Sequence, residues 1–302
     1  MLIRTRKGWE IDDRHATPEA LVVGRRGVLG GLAGMAIAGP ASATANPKYA
    51  AGRAITPEAD VTTYNNFYEF GTDKSIYRAA QRLPVSSWNI EIAGLVAQPR
   101  TIGFEDLVKQ MPVEDRVYRH RCVEAWAITI PYTGFPLSAL VKFAQPTSAA
   151  KFVAFETLND PKHMPGMRSG YFTWPYVDGV TMDEANNDLA FLATGMYGHD
   201  LPKQDGAPIR LALPWKYGFK SVKSIVKVTF TDKQPPCFWQ AIQPEEYGFW
   251  ANVNPAVSHP RWSQATERLL GTEERMPTQI WNGYGEFVAG MYADLKTEQL
   301  FR

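Results

Sequence analysis

Apolar and polar residues alternate with a period of two over residues 88–96, where Trp88, Ile90 and Ile92 face one way and Asn89 and Glu91 the other, so the pattern predicts a strand ending at the Gly94 turn. Shorter runs of the same kind cover residues 152–157, 209–213 and 224–230. The segment 118–126 alternates around Val117, Val123 and Trp126 and reads as a strand or strand end. It leads into a run at 126–131 and then an expected turn at 132–136. Helical spacing is rarer. Residues 102–110 suit a short helix, 137–143 place Leu137, Leu140 and Val141 on one face, and 183–192 follow Thr181 as a cap. Residues 164–166 and 174–176 carry prolines that mark loops, and Gln204-Asp205-Gly206-Ala207-Pro208 predicts a tight turn. No internal repeat or low-complexity linker follows residue 60, so the pattern predicts an α+β body of short strands with few helices.

Residues 1–45 break that pattern. A polar lead is followed by Arg25-Arg26, a glycine-rich apolar run over 30–39, and the small-residue site Ala43-Thr44-Ala45. That order predicts an export signal, and the apolar run is too short to stay as a membrane anchor. The arginine pair resembles a twin-arginine signal, with Gly24, Val28 and Gly30 departing from its usual residues. Such a route carries folded proteins, typically loaded with a cofactor, so a redox cofactor and a periplasmic location are expected.

Composition narrows the picture little. The 302 residues are 45% hydrophobic and 21% charged with a net charge of +1, which gives no reason to expect nucleic acid or an anionic membrane surface as partner. Two cysteines, Cys122 and Cys237, are enough for one disulfide, but a chain of this size does not need one. The count fits one functional thiolate and one bystander.

Cys122 lies in Arg119-His120-Arg121-Cys122-Val123-Glu124, and cations beside a thiol favour its thiolate, the form that ligates metal. The other reading is a small cysteine in a core strand, against which the flanking charges argue because a dry core would have to pair each of them. Zinc is disfavoured, since His120 and Cys122 have no second C-x-x-C or H-x-x-x-H to join them. No G-x-S-x-G, H-E-x-x-H, Walker A or G-x-G-x-x-G motif is placed to act. One thiolate cannot hold a metal alone, so an organic cofactor would supply the other soft ligands, and its phosphate would need cations such as Arg210 and Lys223. Two further segments stay open: the aromatic and amide-rich residues 63–71 as turn or ligand loop, and residues 215–223 as solvated cationic loop or binding element.

Seven motifs in one order, YNNFYEFG (64–71), YRHRCVEAW (118–126), KFVAFET (151–157), QDGAPIR (204–210), PWKYGFKSVKSIV (214–226), YGFWANVNP (247–255) and HPRWSQATER (259–268), resemble the sulfite-oxidase-type molybdopterin enzymes, and within them the periplasmic methionine-sulfoxide-reducing branch. The resemblance runs from Tyr64 to the C-terminus and implies one molybdopterin-binding oxidoreductase domain over residues 46–302, of mixed sheets with few helices. It implies a cofactor of one molybdenum and one pterin, with Cys122 as the metal's thiolate ligand and Asn65 and Glu124 close to the metal in catalytic positions. Asn65, Tyr68, Glu69, Thr157, Asp205, Arg210, Ser221, Val222 and Lys223 would contact the cofactor. Asp205 and Ser221 stand where the family carries Asn and Gly. The implied reaction returns methionine sulfoxide in periplasmic proteins to methionine, with electrons from a membrane haem-binding subunit, and Trp215, Tyr217 and Trp250 are expected at the entrance. Two other readings are a sulfite-oxidising or other S- or N-oxide-reducing molybdenum enzyme, and a cofactor carrier without turnover, which would tolerate loss of Cys122.

Overall fold

The computed structural model describes residues 47–295 and 299–301, so the export-signal reading of residues 1–45 lies outside the described residues. Along the chain the strands are β1 (Asn89–Gly94), β2 (Arg100–Gly103), β3 (Glu114–Arg121), β4 (Trp126–Pro136), β5 (Phe152–Thr157) and β6 (Val177–Thr181). They continue with β7 (Phe191–Met196), β8 (His199–Asp200), β9 (Arg210–Ala212), β10 (Ile225–Thr231), β11 (Thr266–Leu269) and β12 (Arg275–Pro277). One sheet has the order β2-β1-β10-β5-β6, with β1 and β10 parallel and the other pairs antiparallel. Its inward residues are those the alternation marks: Ile90 and Ile92 on β1, Val153 and Phe155 on β5, and Val228 and Phe230 on β10.

The second sheet runs β12-β11-β4-β7-β8, with β3 also on β4 and β9 on β7. β4 organises it. One edge pairs with β3 from Glu114↔Gly134 to Arg121↔Ala127, while the other meets β11 at its start and β7 at its end.

Three local expectations change. Residues 132–136 are not a turn but the second half of β4. Gly134 is there because β4 and β7 shift register at that point and approach closely: a Cβ on Gly134 would lie 2.1 Å from the Leu192 carbonyl oxygen. Second, the helix expected over 183–192 is only Met182–Asn186, and its C-terminal part is β7. Thr181 and Glu184 close a reciprocal capping box, Asn187 ends the helix in extended backbone, and the apolar run Leu189 to Ala193 then enters a sheet buried on both faces. A continuous apolar run of that length does not distinguish helix from buried strand. Third, Ile102 and Gly103 belong to β2, and the helix is Phe104–Val108. The helix Leu137–Ala144 buries Leu137, Leu140, Val141 and Ala144 as its spacing predicts.

The segment 215–223, open in the sequence between solvated cationic loop and binding element, is not a solvated loop. Trp215, Lys216 and Lys220 are buried. Lys216 pairs with Glu184 and donates to the Trp250 carbonyl at 2.7 Å and Asn252 Oδ1 at 2.9 Å. Burial lowers its ammonium to about 8 despite the attraction of Glu184. Glu184 also accepts from Tyr292 Oη at 2.5 Å, and Tyr292 in turn accepts from Trp215 Nε1 at 2.8 Å, so one carboxylate ties the capped helix to the C-terminal segment. Removing one partner of a buried pair strands the other charge, so Glu184→Ala is expected to destabilise the fold by about 3–5 kcal/mol in chemical denaturation. Asp183→Ala, at the exposed neighbouring position, should cost less than about 1 kcal/mol.

Candidate active site

β3 carries a run of charged residues that is buried from Arg116 to Arg121. Side chains alternate along a strand, so Arg119 and Arg121 leave one face and His120 the other. Arg119 donates to Gln279 Oε1 at 2.8 Å and lies over the Tyr284 ring. Arg121 is fully buried, with Nε 2.9 Å from Glu267 Oε2 and Nη2 2.8 Å from Gln264 Oε1. The expectation that Arg119, His120 and Arg121 all place cations at the sulfur is therefore corrected for Arg119 and His120. Both arginines are used in packing β3 onto the C-terminal segments, though Arg121 also donates to the Cys122 carbonyl and favours the thiolate through its charge, and burial lowers the His120 imidazolium to about 3, leaving the ring neutral.

Cys122 follows β3 in a tight turn: its N–H donates to the Trp126 carbonyl at 2.9 Å, and its carbonyl accepts from Ala125, whose φ is 63°. The half-buried sulfur faces a cavity of about 390 Å³. Around Sγ lie the Glu124 N–H at 3.4 Å and Asn66 Nδ2 at 3.5 Å. Burial alone would raise the Glu124 carboxyl, but hydrogen bonds from Lys74, Trp126 and Asn66 hold it below its ordinary range. Those bonds are Trp126 Nε1 at 2.9 Å, Asn66 Nδ2 at 3.1 Å and Lys74 Nζ at 2.7 Å, and Lys74 also donates to Asn66 Oδ1. Burial, followed by the Glu124 charge, pushes the Cys122 thiol up to about 12. A cation at the sulfur favours the thiolate against that burial, and a bound metal is such a cation.

Asn65 is not part of this group. Its Nδ2 donates to Asp205 Oδ1 at 2.8 Å and to the Val61 carbonyl at 3.0 Å, so Asn66, not Asn65, is the amide beside the sulfur. Both lie in the segment 63–71, and period alone does not say which of two adjacent asparagines turns inward. Nothing in the linear pattern marks Lys74 either. It sits just beyond the aromatic loop, and only the folded chain brings it to Glu124.

The same cavity gathers Glu69, Thr157, Asp205, Arg210, Ser221, Val222 and Lys223, with Asn65 and His120. Thr157 ends β5 and donates through Oγ1 to the Lys223 carbonyl at 2.8 Å. Burial raises the Glu69 carboxyl and lowers the Lys223 ammonium, whose neighbour Arg210 pushes the same way. The Ser221 hydroxyl accepts from the Leu213 N–H at 3.4 Å.

The aromatic side chains expected at the entrance are elsewhere. Trp215 is wholly buried, Tyr217 packs against Ala251 and Val253, and Trp250 lines a separate groove. The cavity is instead lined by Tyr68, Trp239, Tyr247 and Trp262. Tyr68 meets Trp239 edge-on at 4.9 Å, Trp239 leans on Tyr247 at 5.3 Å, and Trp262 donates through Nε1 to the Val123 carbonyl at 2.8 Å, beside the sulfur.

The chain's donors and acceptors fit the molybdenum–pterin group that the resemblance implies. Among the described residues no three His, Cys, Asp or Glu side chains converge to hold a metal by themselves, so an ion at Cys122 needs non-protein ligands. Asn65 Oδ1, His120 Nε2 and Asp205 Oδ2 are buried without a hydrogen-bond partner, and all three residues line the cavity. Polar atoms left unpaired suit a polar ligand, and Arg210 and Lys223 suit its anionic part. Both cysteines are free, and Cys237 is buried 3.4 Å from Lys220 Nζ.

A family model described as an oxidoreductase molybdopterin binding domain matches residues 78–239. The catalytic subunit of protein-methionine-sulfoxide reductase, MsrP, from Burkholderia mallei is 47% identical over 319 residues, covering 97% of this chain and 96% of its own. Sulfane dehydrogenase SoxCD from Paracoccus pantotrophus matches 65% of this chain at 20% identity with a TM-score of 0.46, and this chain spans 49% of that one. The observed mixed sheets with few short helices agree with the fold that the motifs imply. The chain belongs to the oxidoreductase molybdopterin-binding family and, within it, to the protein-methionine-sulfoxide reductase catalytic subunits.

Proposed function

We propose that the chain is a periplasmic reductase that repairs oxidised proteins by converting methionine sulfoxide to methionine, using one molybdenum and one pterin. One observation carries the reading: Cys122 lies on the same cavity as the anion-binding end and the aromatic wall. Arg210 and Lys223 would hold the cofactor's phosphate, Asn65, Tyr68, Glu69, Thr157 and Ser221 to Lys223 would line its pterin, and Cys122 Sγ would ligate the metal. When bound, the molybdenum centre supplies the two-electron reduction of the sulfur–oxygen bond; overall, two electrons and two protons turn the sulfoxide into a thioether and water.

The remaining work falls to side chains. Asn66 and Lys74 bring N–H groups to the Glu124 carboxylate beside the sulfur, so charge and hydrogen bonding there are set before a substrate enters. Tyr68, Trp239, Tyr247 and Trp262 offer ring faces and edges to a methyl thioether group, which packs well against aromatic rings. The arginines of β3 that a dianion such as sulfite would need are turned away into packing, which supports the neutral oxide as substrate. The Burkholderia mallei relative is named a catalytic subunit, which supports a separate electron-donating subunit, here a membrane haem-binding one. Export by the twin-arginine route rests on Arg25-Arg26 and the apolar run after them.

Metal analysis beside turnover of methionine sulfoxide with an artificial electron donor tests the reading. Wild type should carry about one molybdenum per chain, and Cys122→Ser should lose both metal retention and turnover while staying folded. Molybdenum without sulfoxide turnover would move the assignment to a sulfite-oxidising enzyme, and a folded, metal-free wild type from cells that make the cofactor would overturn it. Trp239→Ala removes one wall of the mouth and should raise KM for the sulfoxide roughly tenfold with kcat little changed. An equal fall in kcat would place Trp239 at the reacting atoms instead.

A further inference from the structure

We propose that Asp205 acts as a neutral carboxyl: in the loaded enzyme its Oδ2 carries a proton and donates it in a hydrogen bond to an acceptor on the cofactor, so that cofactor binding is coupled to one proton. The inference rests on the reading that the cavity holds the molybdenum–pterin group.

Asp205 ends the turn Lys203–Asp205 and is 5% exposed. Gly206 follows at φ 107°, where a Cβ would lie 2.8 Å from Lys223 Cβ, so the turn is pressed against the residue that flanks the anion site. The two carboxyl oxygens are not equivalent. Oδ1 accepts from Asn65 Nδ2 at 2.8 Å, while Oδ2 is buried without a partner on a residue that lines the cavity. Arg210 acts on it through charge and not through a hydrogen bond to the carboxylate: Arg210 Nη1 donates to the Asp205 carbonyl at 3.1 Å and Nε to the Leu211 carbonyl at 3.3 Å.

The groups facing Asp205 are Arg210 from β9, Lys223 from the segment before β10, Asn65, Glu58 from the helix Glu58–Thr63, Tyr132 from β4 and Tyr197 after β7. Burial raises the Asp205 carboxyl to about 7, with Arg210, Lys223 and Asn65 opposing and Glu58 adding to the rise. An anionic cofactor moves this balance in one direction. It engages Arg210 and Lys223 and brings its own negative charge, both of which disfavour a second anion at Oδ2. A carboxylate only accepts, whereas the protonated acid donates. His120 is neutral and gives no compensating cation.

The sign follows from linkage. A carboxyl whose pKa is higher with cofactor bound than without takes up a proton on binding. Affinity then falls as pH rises above the cofactor-free value, by about tenfold per pH unit until the loaded group also titrates. Lys223, whose ammonium burial lowers to about 8 against the attraction of Glu69 and Asp205, weakens binding over part of the same range in an Asp205 variant too, so the acid band and not the pH slope alone identifies Asp205.

The test uses the holoenzyme and Asp205→Asn, which keeps shape and cannot titrate. Infrared difference spectra between the two should show a protonated carboxyl band at neutral pH in wild type that is missing from D205N. Equilibrium dialysis from pH 6 to 9 against a series of free cofactor concentrations, followed by molybdenum and pterin content, should show the wild-type dissociation constant rising about tenfold per pH unit above 7 relative to that of D205N. Absence of the band, or dissociation constants that run parallel with pH, would overturn the proposal while leaving the cofactor assignment standing. Wild type that contains no molybdenum or pterin would overturn both. Should D205N fail to load, aspartate-labelled wild type decides alone, because the acid band must persist above pH 7 with cofactor bound and vanish when the cofactor is removed.

Discussion

The two-residue period of β3 divides its charges between two surfaces, and the rest of the site depends on that division. Arg119 and Arg121 point toward the C-terminal segments, where Gln279, Glu267 and Gln264 receive them. His120 and, one step further, Cys122 line the cavity. A slip of one residue would exchange the two sets, placing guanidinium groups in the cavity and a thiol in the packing. The long strand β4 prevents this, because it holds β3 in register over its full length while its other edge is fastened to β11 and β7.

Buried charge in this protein falls into two kinds with opposite uses. Lys216 with Glu184, Lys220 with Asp178, and Arg121 with Glu267 are paired inside the protein and hold segments distant in sequence together. Such pairs contribute less to net stability than to fixing one arrangement, since each charge gives up its water to form them. Around the cavity the balance is left incomplete. Asn65, His120 and Asp205 each carry a buried polar atom without a partner, and Glu69 and Lys223 are both pushed toward neutrality by burial. A protein keeps such groups unpaired at a cost of about 1–3 kcal/mol each unless a ligand completes them. The cavity is therefore shaped for an occupant by its chemistry as much as by its volume.

Two ends of one cavity divide the remaining work. The end near Arg210 and Lys223 is cationic and suits an anion, and the aromatic group of Tyr68, Trp239, Tyr247 and Trp262 suits a small apolar side chain. Cys122 belongs to the same cavity, with Asn66, Glu124 and Lys74 forming a hydrogen-bonded group beside the sulfur. The three zones come from segments spread between residues 65 and 262, which is why no short motif describes the site.

Much of this was readable in the linear chain. Alternation marked β1, β5 and β10, helical spacing marked Leu137–Ala144, and the thiol of Cys122 stood out by its neighbours. The motif order identified the family, and the residues it named from Asn65 to Lys223 do line one cavity. Tertiary structure decided the rest. Gly134 read as a turn because a sequence does not show the close approach of β4 to β7 that requires a glycine. The cations beside Cys122 are adjacent in sequence, yet Arg119 and Arg121 find their partners in the C-terminal segments, and the choice between solvated loop and binding element over 215–223 stays open in the sequence because the partners of Trp215 and Lys216, Tyr292 and Glu184, lie far along the chain. Local pattern determines which faces are apolar; which polar group meets which depends on contacts between segments far apart in the chain, and those exist only in the fold.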